Sequence, residues 1–170
     1  MDDGVPMTGD AASFTGRPLA SSDAVVRVMR GNRGRDTGPE MRIRYAVHAL
    51  GLRYRVGIRP VPALRRTADL VFTRAKVAVF VDGCYWHGCP AHYRPSRLNA
   101  DFWASKIAAN RERDVETDAR LVEAGWTVVR IWEHEDPDAG AQRVRAAVTA
   151  ARTRSSRLPA QPEESGGSEQ

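Results

Sequence analysis

Lysine is nearly missing from this 170-residue chain: Lys76 and Lys106 are the only two among 26 Lys and Arg residues. Its formal net charge of +5 is therefore carried by arginine. Arginine presents a planar fork suited to phosphate and guanine, although a coding bias towards arginine gives the same ratio. Net basicity of this kind points towards a nucleic-acid partner. Cysteine is scarce as well. Two residues, Cys84 and Cys89, cannot build a disulfide framework, and in a reducing compartment they read as metal ligands or plain thiols. No apolar run reaches the length of a membrane span, which argues against a membrane partner. The start, Met1-Asp2-Asp3-Gly4, has neither the basic residues nor the apolar stretch of a signal peptide, so the expected compartment is cytoplasmic.

What the chain does have is concentrated between Lys76 and Tyr93, KVAVFVDGCYWHGCPAHY. The run Val77 to Val81 reads as a buried strand and stops at Asp82-Gly83. Both cysteines follow within ten residues, with His87, His92 and the adjacent pair Tyr85-Trp86.

Around this stretch the chain divides simply. Residues 1–21 are rich in Gly, Pro, Ser and Asp and read as a disordered leader. Residues 22–152 read as one domain, and 153–170 as a disordered tail. Val25, Val26, Val28 and Met29 suggest a short helix. The loop from Arg30 to Asp36 then carries Arg30, Arg33 and Arg35, fit for a phosphate backbone or simply solvated. Thr37-Gly38-Pro39-Glu40 has the form of a capping box and opens a helix to about Leu50. Leu52–Ile58 alternates as a strand does. Ala68–Phe72 and the opening strand are close enough to form a hairpin. A long helix from about Asp101 to Ala124 stops at Gly125. Trp126–Glu133 reads as a strand beside the hairpin, and a last helix runs from Asp136-Pro137 to about Ala151. The order α-β-β-β-α-β-α predicts an α/β fold, a mixed sheet with helices on its faces.

Asp69 lies in an apolar strand, where a carboxylate needs a partner or a task. With Asp82 at the end of the neighbouring strand, and a main-chain carbonyl between them, it makes a plausible Mg²⁺ site, although Asp82-Gly83 is also a good turn. On the long helix, Trp103, Ile107, Asn110, Asp114, Thr117 and Leu121 share one stripe, apolar at its ends and polar in the middle. Asp114 either faces inward to work or turns out to pair with Arg111 or Arg113. Cys84, Cys89 and His92 supply three zinc-type ligands, and His87 or His134 could complete a tetrahedron. If His134 does, His87 is left for acid–base work near the carboxylates. Tyr85, Trp86 and Trp103 could wedge between base steps or cap the core.

VFVDGCYWHGCPAHY, NADFWASKIAANRERD and GWTVVRIWEHE, in that order between about Val25 and Ala151, closely resemble the very-short-patch repair (Vsr) DNA mismatch endonucleases. The resemblance implies a restriction-endonuclease-like, PD-(D/E)xK-type sheet with a structural zinc. It implies Mg²⁺-dependent nicking of one strand of double-stranded DNA, 5′ of the thymine in a T:G mismatch left by deamination of 5-methylcytosine. By position it assigns metal binding to Asp69 and the Val81 carbonyl, and catalysis to His87, with Asp114 and Glu40 as further acidic residues of the site. It assigns zinc binding to Cys84, Cys89, His92 and His134, and wedging into DNA to Tyr85, Trp86, Trp103 and Met29. Arg30, Arg33, Arg35 and Asn110 are the accompanying DNA-contact candidates. A known member has histidine where this chain has Asp82, whose carboxylate could bind metal directly. A monomer is expected, with mismatch-repair proteins as partners. The competing readings are a zinc-stabilised DNA-binding module without catalysis and a nuclease of the same fold with another DNA target.

Overall fold

The computed structural model describes residues 35–157. The expected helix around Val25–Met29, with Met29, Arg30 and Arg33, lies outside them. Helix α1 (Gly38–Ala49) starts where its cap predicts. The Thr37 hydroxyl accepts the Glu40 N–H, while the Glu40 carboxylate turns back to the Thr37 hydroxyl at 3.0 Å and the Asp36 N–H at 2.9 Å. The box thus closes one residue earlier than in its usual form, on the residue before the cap.

Strand β1 (Arg55–Ile58) is shorter than the alternation from Leu52 suggested. Leu52 and Tyr54 pack against the core, but pairing begins only at Arg55. Strands β2 (Ala68–Phe72) and β3 (Val77–Asp82) form the expected antiparallel hairpin, in register Leu70↔Val79 through Phe72↔Val77. Strand β4 (Thr127–Trp132) lies parallel to β3, from Val77↔Thr127 to Asp82↔Trp132. A parallel neighbour needs a crossover, and helix α2 (Ala100–Glu123) lies in that connection. The sheet order is β1-β2-β3-β4.

Side-chain alternation gives the sheet two cores. Leu70, Phe72, Val77, Val79, Val129 and Ile131 pack against Ile43 and Val47 of α1 and against Ala141, Val144 and Val148 of helix α3 (Pro137–Arg157). Val71, Ala78 and Phe80 face the other way, with Leu64 and with Leu121 of α2. Strand β3 is covered on both faces, which is why it reads as an unbroken apolar run. Leu121 is fully buried, and Leu121→Ala would cost about 2–5 kcal/mol.

The last helix corrects one boundary. It continues through Arg157, so residues 153–157 are helical rather than tail. Ala151 is buried against the sheet, and Arg154 donates to the Thr127 hydroxyl at 3.0 Å, tying the last turns to the start of β4. Among the described residues no helix is long and apolar enough to cross a membrane.

Candidate active site and metal centre

Asp69 stands where the β2–β3 ladder ends. The paired register reaches Leu70↔Val79, and the Val81 N–H beyond it donates to the Asp69 carboxylate at 2.7 Å. Burial is the main reason its carboxyl is pushed up to about 6. The Val81 N–H and Arg44 oppose that rise, while the negative charges of Glu40 and Asp82 add to it. These residues therefore share one electrostatic neighbourhood, assembled from α1, β2 and β3. Within it Glu40 and Arg44 are buried and paired at 2.9 Å, and Arg44 also bridges to Asp36.

A second network starts at Asp82. Both of its oxygens accept from Arg130 Nη1, at 2.8 and 2.9 Å. Burial raises its pKa, and Arg130 and His87 counter the rise. Arg130 also reaches Asp118 through Nε, at 2.9 and 3.1 Å, and Asp114 Oδ1 through Nη2, at 3.3 Å. The other oxygen of Asp114 lies 2.6 Å from His87 Nδ1. Asp114 thus faces the sheet and pairs with His87 and Arg130, rather than with Arg111 or Arg113 on its own helix. A carboxylate only accepts, so His87 carries its proton on Nδ1 and leaves Nε2 open to other partners.

The loop after β3 brings His87 to this place. His87 N–H bonds back to Gly83 O at 3.1 Å, and Cys89 N–H to Cys84 O at 2.9 Å. Gly88 adopts φ +62°, and a Cβ there would lie 3.0 Å from Ile107 Cγ2. Only glycine lets the loop press this closely on α2. Glu133, just beyond β4, accepts the Cys84 N–H at 2.6 Å and anchors the loop from the other side.

Four ligand atoms from Cys84, Cys89, His92 and His134 lie within 4.8 Å of one another. Cys84 Sγ is 3.1 Å from His134 Nδ1 and 3.9 Å from His92 Nδ1, and Cys89 Sγ is 3.8 Å from both. A tetrahedral zinc spaces its ligands by roughly 3.3–3.8 Å, given bonds of about 2.0–2.3 Å. The donor set and spacing fit such an ion. His87 stays out of the cluster, on Asp114. Burial and then Cys89 push the Cys84 thiol up to about 12. Only a cation would make thiolates favourable here.

Tyr85, Trp86 and Trp103 pack mutually edge-on, with ring centroids 5.3–5.9 Å apart. Trp86 and Phe102 are exposed at the margin of this cluster. Asn110 donates to the Trp86 carbonyl at 2.8 Å and so steadies the aromatic loop from α2. The Arg35 side chain lies over Gly57 of β1.

A family model described as DNA mismatch endonuclease Vsr matches residues 21–92. The chain is 45% identical over 112 residues to the type II nicking enzyme V.NaeI of Lentzea aerocolonigenes, covering 65% of this chain and 68% of that one. It is 39% identical over 121 residues to the type II nicking enzyme V.XorIIP of Xanthomonas oryzae pv. oryzae, covering 69% and 85%. The chain belongs to the Vsr family. It is also 33% identical over 106 residues to the DNA mismatch endonuclease Vsr of Escherichia coli, covering 62% and 66%.

In this Vsr-family chain, sequence reasoning overlooked Arg44, Asp118, Arg130 and Glu133. Arg130 was findable in principle, as an arginine between Val129 and Ile131 in an apolar strand, where a buried charge demands partners. Arg44 sits four residues after Glu40, the spacing of a helical ion pair. Nothing local distinguishes Glu133 or Asp118.

Proposed function

We propose that this chain is a DNA mismatch endonuclease that nicks one strand 5′ of the thymine in a T:G mismatch, by Mg²⁺-dependent phosphodiester hydrolysis on a restriction-endonuclease-like sheet. The observation that carries the reading is that Asp82, whose charge acts on Asp69, also lies beside the His87–Asp114 pair, on the strand that leads into the loop of the aromatic and Cys/His clusters. A half-buried carboxylate whose pKa is raised to about 6 is short of positive charge, and a hard divalent cation would supply it.

Asp69, the Val81 carbonyl and Asp82 would hold Mg²⁺. Bound there, Mg²⁺ supplies charge against the scissile phosphate and lowers the pKa of a bound water. Asp82 shares both oxygens with Arg130, so Asp69 is the principal anionic ligand. His87 carries a proton to or from the reaction through Nε2, oriented by Asp114 at Nδ1. Glu40 acts on the site through its charge on Asp69 and through ordered water. Cys84, Cys89, His92 and His134 would hold a structural zinc that fixes the loop bearing His87 and the aromatics. Tyr85, Trp86 and Trp103, with Met29 from the N-terminal segment, open the base stack at the mismatch. Arg30, Arg33, Arg35 and Asn110 contact the duplex.

The family descriptions support a nicking activity on DNA, and the resemblance supplies the T:G target. Wild type and Asp69→Asn are compared on T:G, T:A and other mismatched duplexes, with and without Mg²⁺. Nicking of T:G alone, dependent on Mg²⁺ and on Asp69, is expected. A fully active Asp69→Asn enzyme removes the metal assignment. Equal cutting of T:A moves the target elsewhere, and binding without cutting leaves a recognition module.

A further inference from the structure

Arg130 is the fourth residue of β4 and lies opposite Phe80 in the parallel ladder, its guanidinium 4.9 Å from the centre of that ring. From this platform it reaches three carboxylates. Nη1 takes both oxygens of Asp82, at 2.8 and 2.9 Å. Nε takes Asp118 at 2.9 and 3.1 Å, and Nη2 adds 3.0 Å to the same residue. Nη2 also meets Asp114, at 3.3 Å to Oδ1 and 3.4 Å to the main-chain carbonyl.

Two oxygens of this set also face His87, one of them shared with Arg130. Asp114 Oδ2 is 2.6 Å from His87 Nδ1, and Asp82 Oδ1 is 3.8 Å from it. Asp114 is thus held between two partners, one oxygen on Arg130 and the other on the imidazole. Asp118, one helical turn along α2, grips Arg130 from behind. Lysine could not replace this arrangement, because a single ammonium cannot span three carboxylates with fixed planar geometry.

We propose that Arg130 is a positioning residue for strand nicking: it clamps Asp114 and Asp82 so that His87 is held as an Nδ1–H donor with Nε2 directed to the reaction. Arg130 touches neither substrate nor reacting atoms in this scheme and acts through the two carboxylates. The proposal rests on the assignment of His87 to proton transfer.

The test uses the full chain, ¹⁵N-labelled at histidine, with His87→Ala to assign the resonance. Wild type is expected to show His87 as the Nδ1-protonated tautomer with a strongly downfield ring proton. Arg130→Lys should lose or broaden that proton while keeping its thermal transition. Asp118→Asn, which loosens the clamp from behind, should weaken the signal in the same direction and guards against a misfolded Arg130 variant. On a cleavable duplex, Arg130→Lys should lower kcat roughly tenfold or more with KM little changed. The double variant Arg130→Lys/His87→Ala should be no slower than His87→Ala alone, since residues acting as a unit are non-additive. An unchanged His87 resonance in Arg130→Lys overturns the proposal, as does a loss that multiplies onto that of His87→Ala. The imidazole spectrum decides even for a chain that cuts no duplex, so failure here is distinct from failure of the T:G reading.

Discussion

The Asp69 carboxylate accepts the Val81 N–H at 2.7 Å, just past the last paired residues of β2 and β3. Among the described residues, this one main-chain donor is the hydrogen-bond partner of a carboxylate raised, chiefly by burial, from 3.8 to about 6. The folded protein holds this proton more tightly than the unfolded chain does. The resulting contribution to stability is present below pH 3.8 and is lost as pH rises through about 6. At pH 8 the ionised group costs the metal-free fold roughly 2–3 kcal/mol. Asp69→Asn, tested at pH 8 without added Mg²⁺, should be more stable than wild type by that order in urea unfolding. Added Mg²⁺ should raise the midpoint of wild type only, and its effect should fade below pH 6. Equal stabilisation of both proteins by Mg²⁺ would place the ion elsewhere.

The Cys/His cluster leads to a prediction about composition. Burial and the neighbouring Cys89 hold the Cys84 thiol up, at about 12, and a bound cation would favour its thiolate. Elemental analysis of the purified chain should find one zinc per molecule. Cys89→Ser should lose it and melt well below wild type, because metal binding and folding are one equilibrium in such sites. His87→Ala should keep its zinc, since His87 lies on Asp114 instead. Full zinc content in Cys89→Ser would disprove the ligand set.

A third prediction separates the aromatic loop from catalysis. Asn110 holds that loop by one hydrogen bond, 2.8 Å to the Trp86 carbonyl. Asn110→Ala should free the loop and weaken binding to mismatched duplex, and Trp86→Ala should weaken it by about 1–3 kcal/mol, the worth of one stacking contact. Trp86→Ala should bind matched duplex as wild type does, because the proposed backbone contacts fall to Arg30, Arg33 and Arg35. Equal losses on matched and mismatched DNA in a titration would show that the rings cap the core and do not read the lesion.

Much of this arrangement was legible in the chain because local chemistry and tertiary packing agree. Thr37, Gly51 and Gly125 mark helix ends by capping and φ, and the Val77–Val81 run reads as a doubly covered strand because it is one. Helical spacing put Asp114 on the stripe shared with Ile107 and Leu121 but left open whether it faces inward or turns out to Arg111 or Arg113. Its partner was not legible, since only the loop pressed down by Gly88 brings His87 over it. Arg130 was hidden for a related reason: alternate strand residues point to opposite faces, and an arginine among valines looks solvated until α2 is laid across that face. Leu52–Tyr54 misled in the opposite sense, because their alternation reflects packing against the core and not pairing. The end of α3 was missed because Arg, Thr and Ser resemble a tail, although Thr153 and Ser156 bond back along the helix at 3.1 and 3.0 Å.

Glu40 carries two loads that can be pulled apart. It closes the start of α1 through Thr37 and Asp36, and it pairs with buried Arg44, whose Nε has no hydrogen-bond partner among the described residues. Removing Glu40 leaves the buried Arg44 charge to the more exposed Asp36, at a cost approaching the roughly 3–5 kcal/mol of a broken buried pair. Glu40→Ala should therefore be strongly destabilised, and any loss of activity in it is ambiguous. Glu40→Gln keeps the size and an acceptor but drops the charge, and should cost about 1–3 kcal/mol. Replacing both partners, as Glu40→Gln/Arg44→Met, removes the stranded charge and should recover part of that stability, measured by urea unfolding. Nicking activity then reports on Glu40 itself. If the double variant is as stable as wild type yet remains slow at saturating duplex, the Glu40 charge acts on the Asp69 site. If activity returns with stability, Glu40 is a cap and an ion-pair partner alone.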